Sequence, residues 1–464
     1  MKKRSNGNKA VLLVLIILLI LAIYALYRSN ISKNGNNNFD NNVVENNNGN
    51  KQDNNNNNDN NEKKDDNKEN NNNDDNNQNS IVNNKTYLGK VVNSSGVTIK
   101  DEWQNVIVSY LDLYTKSLVN LSSEDVSSLF TNPTGNEAYL TNATIDFQVE
   151  HHKLQPNDMK LNDAKYDIEY KNVSIKGNKV TIKFLEDDYY KFRFMGNVTS
   201  RTLDVENNIV INKGDSGYTI DSLRVVRDNY VMFTNAVDTG SSKAKTSIDE
   251  LKTKYLTWTR EEVEKNKKLL EEVNTKEYTP SKACSHEYNR VEAVNYARKY
   301  ADSRNSNYAD YSSGGGNCAN YASQSVSAGG IPMDYTGAYQ WKYYSATYND
   351  ENKAVGRSNS WTSTSYFYNY AKNNTGYGMC ADTDINIFYA LGGDVIHVGY
   401  NGYTHTVIVI EPIKKDGKIV DIMINSNTVG LENFPLLSYT YQNKRLIKIL
   451  GYNDWYKLKN MIYF

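Results

Sequence analysis

The chain has 464 residues, which is enough for two or three domains of ordinary size. Its 53 basic and 54 acidic residues leave a formal net charge of −1, so the charge balance does not indicate nucleic-acid binding. There are three cysteines and five histidines. Because three cysteines cannot all pair within one chain, at least one thiol is free or pairs with another chain.

The N-terminus combines four basic residues with an unbroken apolar run at 10–26. This length suits a short membrane-spanning helix or the core of a signal peptide. Since flanking positive charges stay in the cytoplasm, the rest of the chain should be exported. We favour an uncleaved signal anchor at 1–28, which predicts a single-pass membrane protein, or a secreted one if the segment is cleaved. Residues 29–85 are dominated by Asn and Asp, and this composition predicts a disordered spacer.

The region 86–238 begins with a helical pattern and continues with strand patterns. Apolar residues from Trp103 to Tyr114 recur at helical spacing, and Ser122 with Asp125 three positions later is typical of the cap of a second, short helix. After Ala143 the pattern changes to strands, at 165–175, 179–185, 189–195, 199–211 and 218–228.

This order of elements predicts an α+β domain with its helices on one face of a curved sheet. The pattern resembles the cone-shaped nuclear-transport-factor-2-like (NTF2-like) fold, and we expect an accessory domain that binds or positions, with an envelope protein as its partner. The pair His151-His152 is expected on a strand, where neighbouring side chains face opposite ways, so it is a poor metal site. Residues 239–280 then predict a long amphipathic helix that links this domain to the next, at 281–464.

Cys318 follows a glycine run at 314–316 and opens a short stretch with helical spacing. Asn317 is a suitable helix cap, so the thiol should lie in the first turn of a helix. A helix N-terminus lowers the pKa of a thiol, and its free N–H groups can hold an oxyanion. The alternative is that Cys318 is a small buried apolar residue.

His405 is the candidate for the catalytic base, and a predicted hairpin indicates which way it faces. Asn401-Gly402 predicts a two-residue turn between two strands, and counting outward from it pairs Val398 with His405. His397, the competing base, should then point to the other face of the sheet.

Asn427 is the third candidate, and its position depends on the next turn, near Asp416-Gly417. A three-residue loop would put Asn427 opposite His405, where its carbonyl could orient the imidazole in a Cys-His-Asn arrangement. A two-residue loop would put Thr428 there and turn Asn427 away. Asn425 is the fallback in the first register.

The C-terminal region resembles a bacterial amidase domain family that is distantly related to the NlpC/P60 and CHAP cysteine peptidases. The resemblance covers about 285–428 and rests on residues 288–290, 293–294, 296–297, 317–324 (NCANYASQ), 328–330, Trp341, 360–362, 393–396 and 404–409. It implies a papain-like fold, with the helix that bears the cysteine packed on an antiparallel sheet that carries the histidine. Two positions depart from the family pattern: Asn317 replaces an Asp, which removes a charge that would oppose a thiolate, and Asn427-Thr428 replaces a His-Thr pair.

Together these features predict a membrane-anchored cysteine amidase or peptidase outside the cytoplasm, with Cys318, His405 and Asn427 as catalytic residues. Its expected substrate is an amide bond in peptidoglycan or a peptide. The alternatives are a catalytically inactive protein that binds the envelope, and acyl transfer to an amine. No motif suggests a metal or organic cofactor. Cys284 and Cys380 are expected to form a disulfide outside the cell, which leaves Cys318 free.

Overall fold

The computed structural model describes residues 88–94, 96–312, 316–428 and 430–454. The predicted signal anchor and Asn-rich spacer lie outside these residues. Within them, every helix is too short or too polar to cross a membrane. They form a mixed α+β structure in which eight α-helices surround one large sheet.

The helices, in chain order, are α1 (Asp101–Asn120), α2 (Asn136–Leu154), α3 (Asp228–Thr234), α4 (Ala244–Val273), α5 (Arg290–Lys299), α6 (Cys318–Ala328), α7 (Asn359–Thr362) and α8 (Thr364–Asn373). The strands are β1 (Leu88–Asn93), β2 (Leu161–Lys176), β3 (Lys179–Phe192), β4 (Ser200–Gly214), β5 (Gly217–Val225), β6 (His286–Glu287), β7 (Gly378–Thr383), β8 (Val395–Gly399), β9 (His405–Lys415), β10 (Lys418–Asn427), β11 (Gly430–Pro435) and β12 (Asn443–Asn453).

A single sheet runs through both the upstream and the C-terminal regions. Its order is β1-β2-β3-β4-β11-β10-β9-β8-β12-β6, with β5 paired to β4 and β7 paired to β12. The two regions meet where Leu203 and Thr202 of β4 pair with Gly430 and Leu431 of β11. The division into domains at 238 and 281 remains a prediction, but the hydrogen-bonded sheet continues across it.

Several predicted elements of the upstream region are present and others are wrong. Helices α1 and α4 agree with the helical patterns seen in the sequence. The helix expected after Ser122 does not form, because Asp125 instead accepts hydrogen bonds from the Ser127 N–H at 2.8 Å and the Asn142 side chain at 2.8 Å. These contacts close a short turn, and the next α-helix starts only at Asn136.

The pair His151-His152 lies in α2 and not on a strand, which corrects the prediction. Helix α2 is buried on two sides: Ile145 packs toward the sheet, whereas Phe147 packs toward α4. Because both faces are apolar, the sequence lacks the one-sided stripe that marks a surface helix. His152 Nε2 lies 2.8 Å from Ser438 Oγ, so this pair joins the upstream helices to the C-terminal region.

Strand β3 is continuous over the acidic residues 186–188, where the sequence pattern predicted a break between two strands. Glu186 and Asp188 are buried and both pair with Arg227. Their charges interrupt the apolar alternation in the sequence, but the ion pairs allow them to face the core.

The C-terminal core supports the elements that carry the candidate site. The Tyr288 hydroxyl donates to the carbonyl of Gly393 at 2.8 Å, and Arg290 pairs with buried Asp394 at 2.8 Å. These contacts attach the start of α5 to the turn that leads into β8. Helix α6 packs between α5 and strands β9 and β10.

Candidate active site

Cys318 is the first residue of α6 and its side chain is only 7% exposed. Asn317 occupies the cap position as predicted, but its side chain does not cap the helix. Instead, Asn317 Oδ1 accepts from the Asn320 side chain at 2.7 Å and from the Tyr311 N–H at 3.2 Å. The first N–H groups of a helix have no carbonyl partner within the helix, and at the N-terminus of α6 they are the groups that could bind an oxyanion.

The start of α6 is held by two buried tryptophans. Trp361 Nε1 donates to Asn320 Oδ1 at 2.8 Å, and Trp341 Nε1 donates to Ser323 Oγ at 3.1 Å. The two rings contact each other, with centroids 4.7 Å apart. Residues that carried the family resemblance therefore fix the helix that presents the thiol.

The approach to Cys318 is shaped by Gly316 and Thr428. Gly316 has φ +116°, a conformation that other residues rarely adopt. A Cβ at this position would lie 3.3 Å from Thr428 Cγ2. The Asn317 N–H donates to Thr428 Oγ1 at 2.7 Å, so the residue that follows β10 anchors the backbone directly before the thiol.

His405 begins β9, is 8% exposed and lies beside Cys318. The predicted register of the β8–β9 hairpin is confirmed, because Val398 pairs with His405. His397 lies away from the thiol, where its Nδ1 accepts from Arg445 at 3.2 Å and its ring packs on Phe367. Burial and then the Arg445 charge hold the pKa of His397 well below its ordinary value, which keeps this ring neutral.

Cys318 and His405 shift each other's pKa in opposite directions. Burial raises the pKa of the Cys318 thiol. The charge and hydrogen bond of His405 lower it by more, and hydrogen bonds from the N–H groups of Thr406 and Ala319 add to this effect, so the pKa of Cys318 is below the ordinary value. Burial lowers the pKa of His405. The charge and hydrogen bond of Cys318, followed by the charge of Asp228, raise it by more, so the pKa of His405 is above the ordinary value. Both shifts favour a thiolate–imidazolium pair.

Ser426, and not Asn427, contacts the other side of the imidazole. Ser426 Oγ lies 3.0 Å from His405 Nε2, which leaves Nδ1 as the nitrogen for the thiol. The Asn427 side chain lies 3.5 Å from the Asn317 side chain, and Asn425 Oδ1 accepts from the Asn433 N–H at 2.7 Å. The geometry thus joins Cys318, His405 and Ser426.

The turn between β9 and β10 explains why Asn427 is displaced. Lys415 pairs with Lys418, so the loop has two residues. Asp416 and Gly417 both have positive φ, as a type I′ turn requires. The three-residue loop that would bring Asn427 opposite His405 is not formed. The two register shifts between β9 and β10 add one residue to each strand and cancel, so the register set by the two-residue loop is regained at Asn425. Ser426 is therefore a diagonal neighbour of His405, whereas the prediction from sequence considered only the residues that a direct pairing or the other register would bring there.

Cys284 and Cys380 form a disulfide and Cys318 is free, as the sequence argument expected. The bond joins the segment before β6 to strand β7. It lies apart from the thiol and leaves Cys318 in its reduced form.

Comparison with known proteins identifies the C-terminal region. Residues 287–450 match the model of the family described as "Putative amidase domain", so this part of the chain is similar to that family. The match indicates amide hydrolysis as the chemistry of the domain. No curated protein and no solved structure was found to match the chain.

Proposed function

We propose that the chain is a membrane-anchored, extracytoplasmic cysteine hydrolase that cleaves an amide bond of the cell envelope. The observation that carries this proposal is the pair formed by Cys318 at the start of α6 and His405 at the start of β9. A helix bearing the nucleophile against an antiparallel sheet bearing the base is the papain-like arrangement, and the proposal assigns this domain to it. The upstream region, with helices on a curved sheet, is proposed to be an NTF2-like accessory domain.

In the proposed mechanism, the Cys318 thiolate attacks the carbonyl carbon of the amide and the carbonyl oxygen becomes an oxyanion. The N–H groups at the start of α6 stabilise this oxyanion. The imidazolium of His405 then donates its proton to the nitrogen as the C–N bond breaks, which releases the amine and leaves a thioester on Cys318.

Water completes the cycle. His405, now neutral, takes a proton from water as the oxygen attacks the thioester, and the carboxylic acid leaves as the thiolate and the imidazolium are restored. Ser426 is proposed to orient His405 through the hydrogen bond at Nε2. Acyl transfer would follow the same path with an amine in place of water.

Three observations support an envelope substrate. The N-terminal segment has the composition of a signal anchor, the disulfide between Cys284 and Cys380 is typical of a protein outside the cytoplasm, and 287–450 match an amidase family. Peptidoglycan, which is rich in amide bonds, is the substrate that we propose.

The test is to incubate residues 86–464 with purified peptidoglycan and to follow new amino groups and released fragments by mass spectrometry. We expect fragments with the wild type and none with Cys318→Ala or His405→Ala. The disulfide variant Cys284→Ser/Cys380→Ser serves as a matched control because it removes cysteines away from the site, and it should retain hydrolysis. Binding to peptidoglycan with no hydrolysis by the wild type would instead support the catalytically inactive alternative.

A further inference from the structure

Asp228 is a carboxylate of the upstream region that reaches the candidate active site. It is the first residue of α3 and lies outside the amidase match at 287–450. Asp228 Oδ1 accepts a hydrogen bond of 2.6 Å from the hydroxyl of Tyr441. Tyr441 belongs to the segment that leads into β12, so this contact crosses from the upstream region to the amidase domain.

Two tyrosine rings line His405 on the side that faces Asp228. The centroid of the Tyr439 ring is 6.1 Å from that of His405 at 79°, and the Tyr441 ring is 6.4 Å away at 37°. The two tyrosine rings meet edge to face with centroids 4.8 Å apart. Because Asp228 accepts a hydrogen bond from the Tyr441 hydroxyl, Asp228 fixes the two tyrosine rings that flank the imidazole.

The charges around His405 single out Asp228. Within the part of the chain that the structure describes, the titratable groups that face this imidazole are Cys318 on α6, His397 on β8, Asp228 on α3, and Tyr439 and Tyr441 before β12. Burial and then the charge of Asp228 raise the pKa of both tyrosines, so they stay neutral. Since His397 is also neutral, Asp228 is the anion besides the Cys318 thiolate that acts on His405 in this set.

We propose that Asp228 is a positioning residue for the Cys318–His405 pair, acting through Tyr441 and Tyr439, so that the upstream region completes the active site of the amidase domain. This inference rests on the proposed function, because it assigns a role within the same site. It gives the accessory region a part in the chemistry that is separate from any partner it binds. An amidase domain without α3 would lack this carboxylate.

The test is the titration of His405 in the full-length protein, followed by NMR of ring nitrogens after selective ¹⁵N labelling of histidine. The chain has only five histidines, and a His405→Gln variant assigns the signal. In Asp228→Asn we expect the midpoint to fall by about 0.5–1 pH unit, less than the roughly 1–3 units of a charge in direct contact, because Asp228 contacts Tyr441 and not the imidazole itself. Tyr441→Phe keeps the ring but not the hydrogen bond, and should move the midpoint in the same direction by less.

Asp249→Asn is the matched control. Asp249 also lies in the upstream region and accepts from a tyrosine hydroxyl, that of Tyr139, at 2.7 Å, but it has no contact with the candidate site. Its substitution should leave the midpoint of His405 unchanged. An unchanged midpoint in both Asp228→Asn and Tyr441→Phe would overturn the proposal, as would an equal shift in Asp249→Asn.

The proposed function can fail separately from this inference. If peptidoglycan is not cleaved but the His405 midpoint still depends on Asp228, the positioning role stands and the substrate assignment falls. If cleavage requires Cys318 and His405 but the His405 midpoint does not depend on Asp228, the substrate assignment stands and the positioning role falls.

Discussion

Removal of the Ser426 hydroxyl tests which residue orients His405. At neutral pH the thiolate–imidazolium pair competes with the uncharged thiol–imidazole pair, and Ser426 stabilises the first through its 3.0 Å contact with His405 Nε2. Ser426 is fully buried and His405 nearly so, so water cannot readily replace the lost partner. A hydrogen bond to a charged group contributes about 1.5–3 kcal/mol, so Ser426→Ala should lower the ratio of the two pairs roughly 10- to 100-fold.

The assay is the rate of alkylation of Cys318 by iodoacetamide, measured by mass spectrometry. This rate follows the thiolate population and needs no substrate. We expect a drop of about tenfold at neutral pH in Ser426→Ala, at the lower end of that range.

Asn427→Ala is the matched control, since its side chain contacts Asn317 and not His405. It should change the rate less than about threefold, because exposed or weakly bonded amides contribute little. A large loss in Asn427→Ala with no loss in Ser426→Ala would refute the geometric reasoning and restore Asn427 as the orienting residue.

Three further predictions concern pH and stability. Hydrolysis should follow a bell-shaped pH profile, which a measurement of kcat/KM against pH checks. The acid limb, set by loss of the Cys318 proton, should lie below the ordinary pKa of a thiol. The alkaline limb, set by loss of the His405 proton, should lie above the ordinary pKa of an imidazole. Trp361→Ala should lower the free energy of unfolding by about 3–5 kcal/mol in denaturant titration, because a fully buried ring is lost; a loss under about 1 kcal/mol would contradict this packing. Cys284→Ser/Cys380→Ser should cost about 2–4 kcal/mol because the bond closes a long loop, while the alkylation rate of Cys318 stays unchanged.

The local parts of the candidate site could be predicted from the sequence. Asn317 and Cys318 open a run with helical spacing that ends at glycines, and helix starts are set by nearby residues. The Asn401-Gly402 turn allowed the pairing of Val398 with His405 to be counted, because a tight turn determines the register of its strands.

Ser426 and Asp228 could not be found in this way. Ser426 reaches His405 Nε2 as a diagonal neighbour across β9 and β10, and local pairing rules do not decide which diagonal side chain makes the hydrogen bond. Asp228 lies far upstream in the chain, and only the folded arrangement brings it to Tyr441.

The sequence by itself determined the features that depend on neighbouring residues. These are the apolar N-terminal run, the helix that starts at Cys318, the hairpin that carries His405, the separation of Cys318 from the other two cysteines, and the resemblance to an amidase family. Helix caps, tight turns and alternating strands are local, so their residue types can be recognised directly.

Only the tertiary structure decided how distant segments combine. Pairing of β4 with β11 makes one sheet from two regions that the sequence pattern separates. Apolar packing on both faces of α2 kept it from being recognised as a helix, and buried ion pairs with Arg227 allowed β3 to continue through acidic residues. In each case the deciding free energy comes from contacts between residues far apart in the chain, which local propensity does not record.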